Sequence, residues 1–407
     1  MKLLKVVFEN LPLLDRGVEL DFFSEGRVSE DEQHELIHLF KNYYANRTMT
    51  LTGLNASGKT QVLNCLAVAL TVIQAKSINS FHNSIFEKSS NQNILHLVPQ
   101  QETIFIIYFY EEINGEGFVY KLESKIGVNF DEADGCFKYE FVEEVLSRKS
   151  TKYIRSKKDM FTFISLKKDD VVMRSNNEIF SSLPSDISMM SYYIQTKVFN
   201  KLYSRDTLSF TNVNFLRNSI DLPKELISYF DPSIEELSFL RNEESRIVLI
   251  RVKFFGQDDV IELESVFDLP SVLSSGTIKG IGLFMDAFAM LSSGGIVIVD
   301  ELENHFNREI VSTFINLFLD RKLNPHGAVL IYTTHYSELL DLIPRNDSIY
   351  ILSKDKRIRI NKFSKSIQRN DISKGDLIMK GIVANSAPSY ASENALKKVF
   401  KKEFLKK

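Results

Sequence analysis

Hydrophobic and polar positions follow two different patterns along the chain. After about residue 276, apolar runs alternate with amphipathic ones, which predicts helix, strand, helix, strand, helix and strand. This order is typical of a parallel, doubly wound sheet. Ile296–Val299 is apolar without interruption, as expected of a strand that is buried on both faces.

The earlier part of the chain shows short extended runs that are separated by turn signals. Glycines at 115, 117 and 135 are typical of hairpin turns. Residues 186–240 predict a mainly helical segment, with a helix start at Pro223 and a break at Pro232. The predicted strands cover residues 2–9, 17–22, 103–110, 117–123, 136–145, 246–254 and 260–264.

Residues 53–60 have the sequence Gly-Leu-Asn-Ala-Ser-Gly-Lys-Thr, a complete G-x-x-x-x-G-K-T phosphate loop. The loop follows an extended apolar stretch at 49–52 and precedes an amphipathic run at 61–73 that predicts a helix. Its backbone amides and the helix N-terminus favour a pyrophosphate group. A glycine-rich turn without a ligand would not explain this order of strand, loop and helix. The predicted nucleotide-binding residues are Gly53, Asn55, Ala56, Ser57, Gly58, Lys59 and Thr60.

Two of these side chains have specific predicted roles. Lys59 is expected to reach the β- and γ-phosphates, and the Thr60 hydroxyl is expected to coordinate Mg²⁺. The strand at 296–299 runs directly into Asp300 and Glu301. We expect Asp300 to lie beside the phosphate loop and to hold the same metal. Glu301 is expected to orient or deprotonate the attacking water.

Lys59 and Asp300 are 241 residues apart (300 − 59), so the sequence predicts a subdomain inserted between them. Just before the strand at 296–299, a polar turn opens a predicted helix at 278–291. Its amides could bind the γ-phosphate of a second nucleotide, or the turn could be an ordinary helix N-cap. The residues of this turn are Ser274, Ser275, Gly276 and Thr277.

His335 follows another apolar run, at 328–334. An imidazole at the end of such a strand can hydrogen-bond a γ-phosphate and register its loss. A purely structural histidine is the alternative. The preceding Thr333 and Thr334 favour the sensor interpretation.

Composition limits the choice of partners. The 407 residues carry a net charge of −3, so any contact with nucleic acid must come from a local patch. Two segments, 148–158 and 396–407, are basic. They could meet nucleic acid or an acidic protein, although a solvated hairpin and a docked helix are the favoured alternatives.

Cysteine usage and hydropathy point to a cellular location. Cys65 and Cys136 predict packed thiols in a reducing compartment. No apolar run approaches the ~20 residues that span a bilayer. We therefore expect a cytoplasmic protein without a membrane partner.

Together these motifs resemble the ABC-type AAA ATPases that include SMC proteins, RecF and the OLD family. The resemblance covers nearly the whole chain, and it is greatest to ATPase subunits of anti-phage defence systems such as PARIS and Septu. Residues 230–235 resemble the lid region of that family. The segments that carry the likeness are the opening strands and residues 53–60, 273–277, 300–304 and 333–339.

This resemblance implies an α/β fold of the ABC-type ATPase head. N-terminal antiparallel strands and a parallel phosphate-loop core sheet would be joined by an inserted lid subdomain of β-hairpin and helices. The implied division is a core at 1–145 and 246–363, a mostly helical lid at about 146–245, and a tail at 364–407.

The family also implies that two heads sandwich two ATP molecules with Mg²⁺. Ser275 and Gly276 of one subunit would complete the site built on Lys59 of the other, in a homodimer or higher homo-oligomer. Ser-Ser-Gly-Thr differs from the transporter signature Ser-Gly-Gly-Gln, which argues against a transporter motor. Asn307 stands where relatives often carry His, and the glutamine loop has only Gln100 and Gln101 as candidates.

Three functions remain open at this stage. Only 72 residues follow His335 (407 − 335), without a Toprim-like acidic pattern, so a nuclease is expected on a separate chain. The leading hypothesis is an ATPase that senses a phage or DNA trigger and controls a separate toxic effector, such as a nuclease or Toprim-like protein. The alternatives are a RecF-like DNA-binding ATPase in repair or recombination, and an ATP-bound scaffold with little turnover.

Overall fold

A computed structural model describes most of the chain. The described residues are 1–80, 93–132, 135–164, 167, 170–208, 222–242, 247–304, 306–367, 372–379, 394–395 and 397–401. Residues 396 and 402–407 of the basic C-terminal segment therefore lie outside the described part, as do residue 134 of one predicted turn and residues 209–221 of the predicted helical segment.

The strands, in chain order, are β1 (Lys2–Glu9), β2 (Val18–Asp21), β3 (Leu36–Phe40), β4 (Tyr43–Asn46), β5 (Thr48–Gly53), β6 (Glu102–Ile113), β7 (Glu116–Asp131), β8 (Cys136–Ser150), β9 (Val171–Met173), β10 (Ser204–Asp206), β11 (Ile234–Arg241), β12 (Ile247–Phe254), β13 (Ile261–Leu263), β14 (Ile296–Val299), β15 (Val329–Thr334), β16 (Ile349–Lys354) and β17 (Ile358–Lys362). The helices are α1 (Lys59–Ile73), α2 (Lys157–Phe161), α3 (Glu178–Ser181), α4 (Met190–Gln195), α5 (Lys224–Phe230), α6 (Ser275–Ser293), α7 (Arg308–Leu319), α8 (Phe363–Ser366) and α9 (Lys374–Met379).

The core sheet has the strand order β10-β14-β15-β5-β16-β17. Its neighbours pair in parallel except for β16 and β17, which are antiparallel. The predicted parallel sheet is confirmed, as is the α/β fold class. The last of the predicted helices is a 3₁₀ segment, Ser337–Leu342.

A second sheet is formed by the N-terminal half of the chain. Its order is β2-β1-β6-β7-β8-β9, and every pair in it is antiparallel. The predicted antiparallel strands are confirmed, and β7 and β8 are longer than predicted. They extend because their register continues from Phe118 paired with Ser150 to Asp131 paired with Cys136.

Helix α1 lies between these two sheets. Its buried residues join a core cluster with Phe8 and Phe105 of the antiparallel sheet and Ile298 of β14. The alternate residues of β14, Val297 and Val299, face the other side and pack with α6 and α7. The predicted helix is therefore confirmed, but its amphipathic character is not, because 12 of its 15 residues are buried. A helix that is covered by sheets on both sides needs apolar residues around most of its circumference.

Strands β11, β12 and β13 form a separate three-stranded antiparallel sheet, which we call the small sheet. Its inner face packs against α5 and α6 in a core cluster of its own. Phe230, at the end of α5, lies so close to Gly280 of α6 that a Cβ there would be 2.1 Å from the ring.

The prediction of a mostly helical segment at 146–245 is wrong for the described residues. The end of β8 and strands β9, β10 and β11 lie within it, and its helices α2–α5 are short. Pairing with a neighbouring strand decided the outcome, since Leu237 of β11 pairs with Val252 of β12 and both are buried. The division of the chain into core, lid and tail stays a prediction.

The sequence interpretation also missed the hairpin of β3 and β4, which lies between the predicted strand at 17–22 and the phosphate loop. Lys41 in its turn has a positive φ of 48°. Ile37 pairs with Ala45, and both side chains are buried. Within the described residues, no helix combines the length and apolar character that a bilayer span requires.

Candidate functional site

The phosphate loop, Asp300, Glu301 and His335 lie at one edge of the core sheet. Strands β14, β15 and β5 are neighbours and run in parallel, so their carboxyl ends meet. Asp300 follows β14, His335 follows β15, and the phosphate loop follows β5. This edge is where ligands bind in open parallel sheets.

The loop backbone depends on two glycines. Gly53 has φ 150° and a Cβ there would lie 2.3 Å from the Leu352 carbonyl oxygen. Gly58 has φ 94° and a Cβ there would lie 2.3 Å from Ile358 Cδ1. Both positions require glycine, because their backbone angles disfavour side chains and their space is already filled. The two glycines of the motif therefore fix the shape of the loop.

The loop borders a cavity of about 340 Å³, which is lined by Thr52, Gly53, Leu54, Asn55, His335, Ile351 and Ile378. Ser57 Oγ is buried and has no hydrogen-bond partner among the described residues. A buried hydroxyl without a partner calls for an acceptor or donor from a ligand. The cavity and the orphaned hydroxyl both fit a phosphate-bearing ligand on this loop.

Lys59 lies buried across the loop. Its Nζ donates to the carbonyl oxygens of Gly53 at 2.9 Å and Leu54 at 3.2 Å, and lies 3.4 Å from His335 Nδ1. Burial lowers the pKa of the Lys59 ammonium below its ordinary value, while nearby carboxylates act in the opposite direction. These carboxylates belong to Asp300, Glu301 and Glu303.

Thr60 and Asp300 come into direct contact although 240 positions separate them. The Thr60 hydroxyl donates to Asp300 Oδ2 at 2.6 Å. The other oxygen, Oδ1, accepts from the Thr333 hydroxyl at 2.6 Å. Hydroxyl and carboxylate oxygens are hard ligands of the kind that Mg²⁺ prefers. The pair therefore fits a magnesium ion at this point.

Glu301 has a left-handed backbone with φ 50°. Its N–H donates to the Thr333 hydroxyl at 2.7 Å, which holds this unusual conformation. The Glu301 side chain is about half exposed, and its Oε1 lies 3.6 Å from His335 Nε2. The structure thus brings Glu301 and His335 together beside Lys59.

The sequence profile of one protein family matches residues 49–341, which is more than half of the chain. That family is described as "AAA domain, putative AbiEii toxin, Type IV TA system". The chain belongs to this AAA domain family. The matched region begins in β5 and contains the phosphate loop, Asp300, Glu301 and His335.

Among solved structures, the SMC head domain from Thermotoga maritima is similar to the chain at 14% sequence identity and a TM-score of 0.36. The alignment covers 89% of this chain and 99% of that one. No curated protein matches the chain in sequence.

The predicted signature of this AAA domain forms the start of α6. Ser274 is its N-cap, and the Ser274 hydroxyl accepts from the Thr277 N–H at 3.0 Å. Ser274 and Ser275 are exposed, Gly276 is half-buried and Thr277 is buried. The N-cap role is therefore present, and the exposed serines also leave the helix N-terminus accessible.

Gln101 and Asn307, which the sequence analysis singled out, both make hydrogen bonds to nearby backbone groups. Gln101 immediately precedes β6, and its side chain donates to the Asn10 carbonyl oxygen at 3.4 Å and accepts from the Val98 N–H at 3.3 Å. Its contacts thus belong to the antiparallel sheet. Asn307 is the N-cap of α7 and accepts from the Ile310 N–H at 2.9 Å.

Thr207 is a site residue that sequence reasoning missed. It follows β10, which pairs with β14, and its hydroxyl accepts from the Asp300 N–H at 3.3 Å. Strand β10 has only three residues, too few for a periodic pattern to reveal. The only sequence signal is a short polar run that ends in Thr.

The basic segment 148–158 of this AAA domain is largely satisfied within the chain. Lys149 Nζ donates to the carbonyl oxygens of Asp159 at 2.7 Å and Thr162 at 2.6 Å. Lys157 donates to backbone oxygens of the 24–26 loop. Arg148 pairs with Asp170 at 2.9 Å and Lys152 with Glu116 at 3.1 Å. These contacts favour the structural interpretation of the segment over a nucleic-acid surface.

Cys65 is buried in α1, and burial raises the pKa of its thiol to about 12. Cys136, at the start of β8, is half-buried. A thiol whose pKa is raised by apolar surroundings is unreactive, so Cys65 acts as a packing residue.

Proposed function

We propose that this chain is a Mg²⁺-dependent ATPase of the ABC type. The observation that carries the proposal is the 2.6 Å contact between the Thr60 hydroxyl and Asp300 Oδ2. It joins a complete phosphate loop to the carboxylate strand at the sheet edge where Glu301 and His335 also lie. Membership of an AAA domain family supports nucleotide binding.

Each residue has a proposed role in this reaction. The amides of residues 53–60 bind the phosphates, and Lys59 turns from its loop carbonyls toward the β- and γ-phosphates. Thr60 and Asp300 hold Mg²⁺, which supplies charge stabilisation to the phosphates. Glu301 accepts a proton from the attacking water, and His335 hydrogen-bonds the γ-phosphate.

Two substitutions test the enzymatic proposal. Lys59→Ala removes the buried ammonium and should abolish ATP binding, measured by calorimetry with Mg²⁺. Glu301→Gln should keep binding but stop phosphate release, because an amide cannot accept the proton. Glu30→Gln, which changes an exposed carboxylate outside the site, is the control. Native turnover by Glu301→Gln would show that another group is the base.

The proposal includes a head-to-head homodimer. Ser274, Ser275, Gly276 and Thr277 of one copy would contact the ATP bound at Lys59 of the other. The exposed serines at the N-terminus of the 19-residue helix α6 support this arrangement. Light scattering should show a dimer for Glu301→Gln with ATP, and a monomer when Ser275→Arg is added. A dimer that forms without ATP, or that survives Ser275→Arg, would contradict the arrangement.

We further propose that the ATPase regulates a separate toxic effector in anti-phage defence, as the resemblance to PARIS and Septu ATPases implies. The family description refers to a putative toxin of a type IV toxin–antitoxin system, which supports a role in growth arrest. The proposed location is the cytoplasm. A phage-encoded or DNA trigger would act through the ATP-bound dimer.

Co-expression with proteins from neighbouring genes tests the regulatory proposal. Growth arrest on phage infection should require the effector and should be lost with Lys59→Ala. Arrest that persists with Lys59→Ala would separate the effector from ATP binding. A RecF-like role predicts direct, salt-sensitive DNA binding instead. The internal pairing of segment 148–158 gives that role less support.

A further inference from the structure

The turn that follows β14 is fastened to the end of β15. The Leu302 N–H donates to the Thr333 carbonyl oxygen at 3.1 Å, and the Glu301 N–H donates to the Thr333 hydroxyl at 2.7 Å. The last contact in this series uses the Glu303 side chain. Glu303 Oε1 accepts a hydrogen bond from the His335 N–H at 2.6 Å.

Glu303 is an unusual residue for such a contact. It is only 8% exposed, and its second oxygen, Oε2, is buried without a hydrogen-bond partner among the described residues. A buried carboxylate oxygen without a partner is costly, and a neutral acceptor would avoid the cost of burying a charge. The position therefore requires an explanation beyond the stability of the turn.

The charged group near Glu303 is the Lys59 ammonium. The negative charge of Glu303 is one of three that oppose the effect of burial on the pKa of Lys59. Asp300 and Glu301 supply the other two, and both have direct roles in the proposed reaction. Glu303 is thus the third acidic residue of the same turn, and unlike Asp300 and Glu301 it has no direct role in the proposed reaction.

His335, whose backbone Glu303 contacts, lies between Lys59 and Glu301. The His335 imidazole has its Nδ1 3.4 Å from Lys59 Nζ and its Nε2 3.6 Å from Glu301 Oε1. Both distances depend on where the His335 backbone lies. A charge-assisted hydrogen bond to that backbone is short and directional, so it fixes this position more firmly than a neutral acceptor would.

We infer that Glu303 is a positioning residue for His335, and this inference rests on the proposed ATPase function. Its carboxylate anchors the His335 backbone to the turn that carries Asp300 and Glu301. Because of this anchor, the imidazole keeps a fixed place between Lys59 and Glu301.

A double-mutant cycle in ATP turnover tests the inference. Glu303→Ala should lower kcat by about 10–100-fold, the range typical of partners that orient a functional side chain, with little change in KM. Glu303→Gln keeps an acceptor for the His335 N–H and should recover much of the loss. In a His335→Ala background, Glu303→Ala should have no further effect on kcat.

The control is Glu30→Ala, which removes an exposed carboxylate elsewhere and should leave kcat unchanged. Thermal unfolding of each variant checks that the fold is intact. A merely structural Glu303 would lower kcat by the same factor with or without His335. That result, or an effect on KM alone, would overturn the inference.

Amide NMR gives a readout that does not depend on turnover. The chain has 7 histidines, so selective ¹⁵N-histidine labelling gives few signals, and His335→Ala identifies the one of interest. The His335 amide proton should move upfield in Glu303→Ala and stay near its native shift in Glu303→Gln. An unchanged signal in Glu303→Ala would refute the contact. If the native protein failed to hydrolyse ATP, the ATPase proposal would fall while this measurement still decided the role of Glu303.

Discussion

The carboxyl edge of the core sheet and the outer face of the small sheet both carry charged residues, but in different ways. At the edge, Lys59 is 6% exposed and Glu303 is 8% exposed. On the small sheet, Arg251 pairs with Glu262 at 2.9 Å, and the two side chains are 45% and 50% exposed. Burial of charge costs free energy, whereas an exposed pair contributes little. The cost of burying Lys59 and Glu303 therefore calls for a functional explanation, whereas the exposed Arg251–Glu262 pair does not.

The largest expected effect is on ATP turnover, which should depend on a carboxylate at the sheet edge and not on one in the small sheet. Asp300→Asn removes a proposed metal-ligating carboxylate and should lower ATP turnover by about 100-fold or more. Turnover by the variant should also need a higher Mg²⁺ concentration. Asp258→Asn makes the same change in the exposed β12–β13 turn and should leave turnover unaltered. Equal effects at the two positions would remove the distinction between the regions.

Glycine substitutions compare the backbones of the two regions. Gly53→Ala would place a Cβ 2.3 Å from the Leu352 carbonyl oxygen at φ 150° and should lower the free energy of unfolding by about 3 kcal/mol or more. Gly256→Ala in the small-sheet turn has φ 76° and open space around it. Its cost should be about 1 kcal/mol. Urea unfolding measures both, and a smaller loss for Gly53→Ala would contradict the packing described for the loop.

A buried ion pair of the core predicts a pH dependence. Arg345 hydrogen-bonds Asp347 at 2.9 Å and the pair is almost fully buried. Burial alone would raise the pKa of Asp347, but the Arg345 contact and charge outweigh it and hold the pKa below its ordinary value. The stabilisation is therefore present above the unfolded pKa of about 3.9 and disappears as the pH falls through the lower folded value.

Asp347→Asn should consequently lower the free energy of unfolding by about 2 kcal/mol at pH 7. The difference from the native protein should shrink as the pH falls below about 4, because the carboxylate is protonated first in the unfolded state and then, at its lower folded pKa, in the native state. Unfolding curves across this pH range check the prediction. A difference that stayed constant with pH would show that charge is not the cause.

The smallest effect belongs to the exposed pair of the small sheet. Arg251→Met keeps much of the aliphatic side chain and removes the ion pair with Glu262. Because both partners are solvated, the free energy of unfolding should change by less than about 1 kcal/mol, and salt should reduce the difference further. A larger change would mean that the small sheet depends on its surface charges more than the core does.

The same two regions show what sequence reasoning can reach. The phosphate loop and the β14 strand carry strong local patterns, and they were predicted together with the parallel sheet. The pairing of Thr60 with Asp300 was also expected, since parallel strands end at one edge. A motif of fixed spacing, such as the phosphate loop, predicts the local backbone structure without information from distant residues.

Strands β10 and β11 were not predicted because pairing with another strand decides their structure, whereas β12 and β13 of the small sheet were expected as strands. Residues 234–240 were taken as helical, yet they form β11, in which Leu237 lies opposite Val252 of β12 and both side chains are buried. Thr207 depends in the same way on β14. Local propensity is weak where tertiary pairing decides between helix and strand.

A structure of Glu301→Gln with Mg²⁺ and ATP tests the central claim most directly. The account predicts a metal ion coordinated by the Thr60 hydroxyl and adjacent to Asp300, with the triphosphate on residues 53–60 and Ser275 of a second copy at the γ-phosphate. ATP bound in a different cleft, or a metal remote from both Thr60 and Asp300, would contradict it.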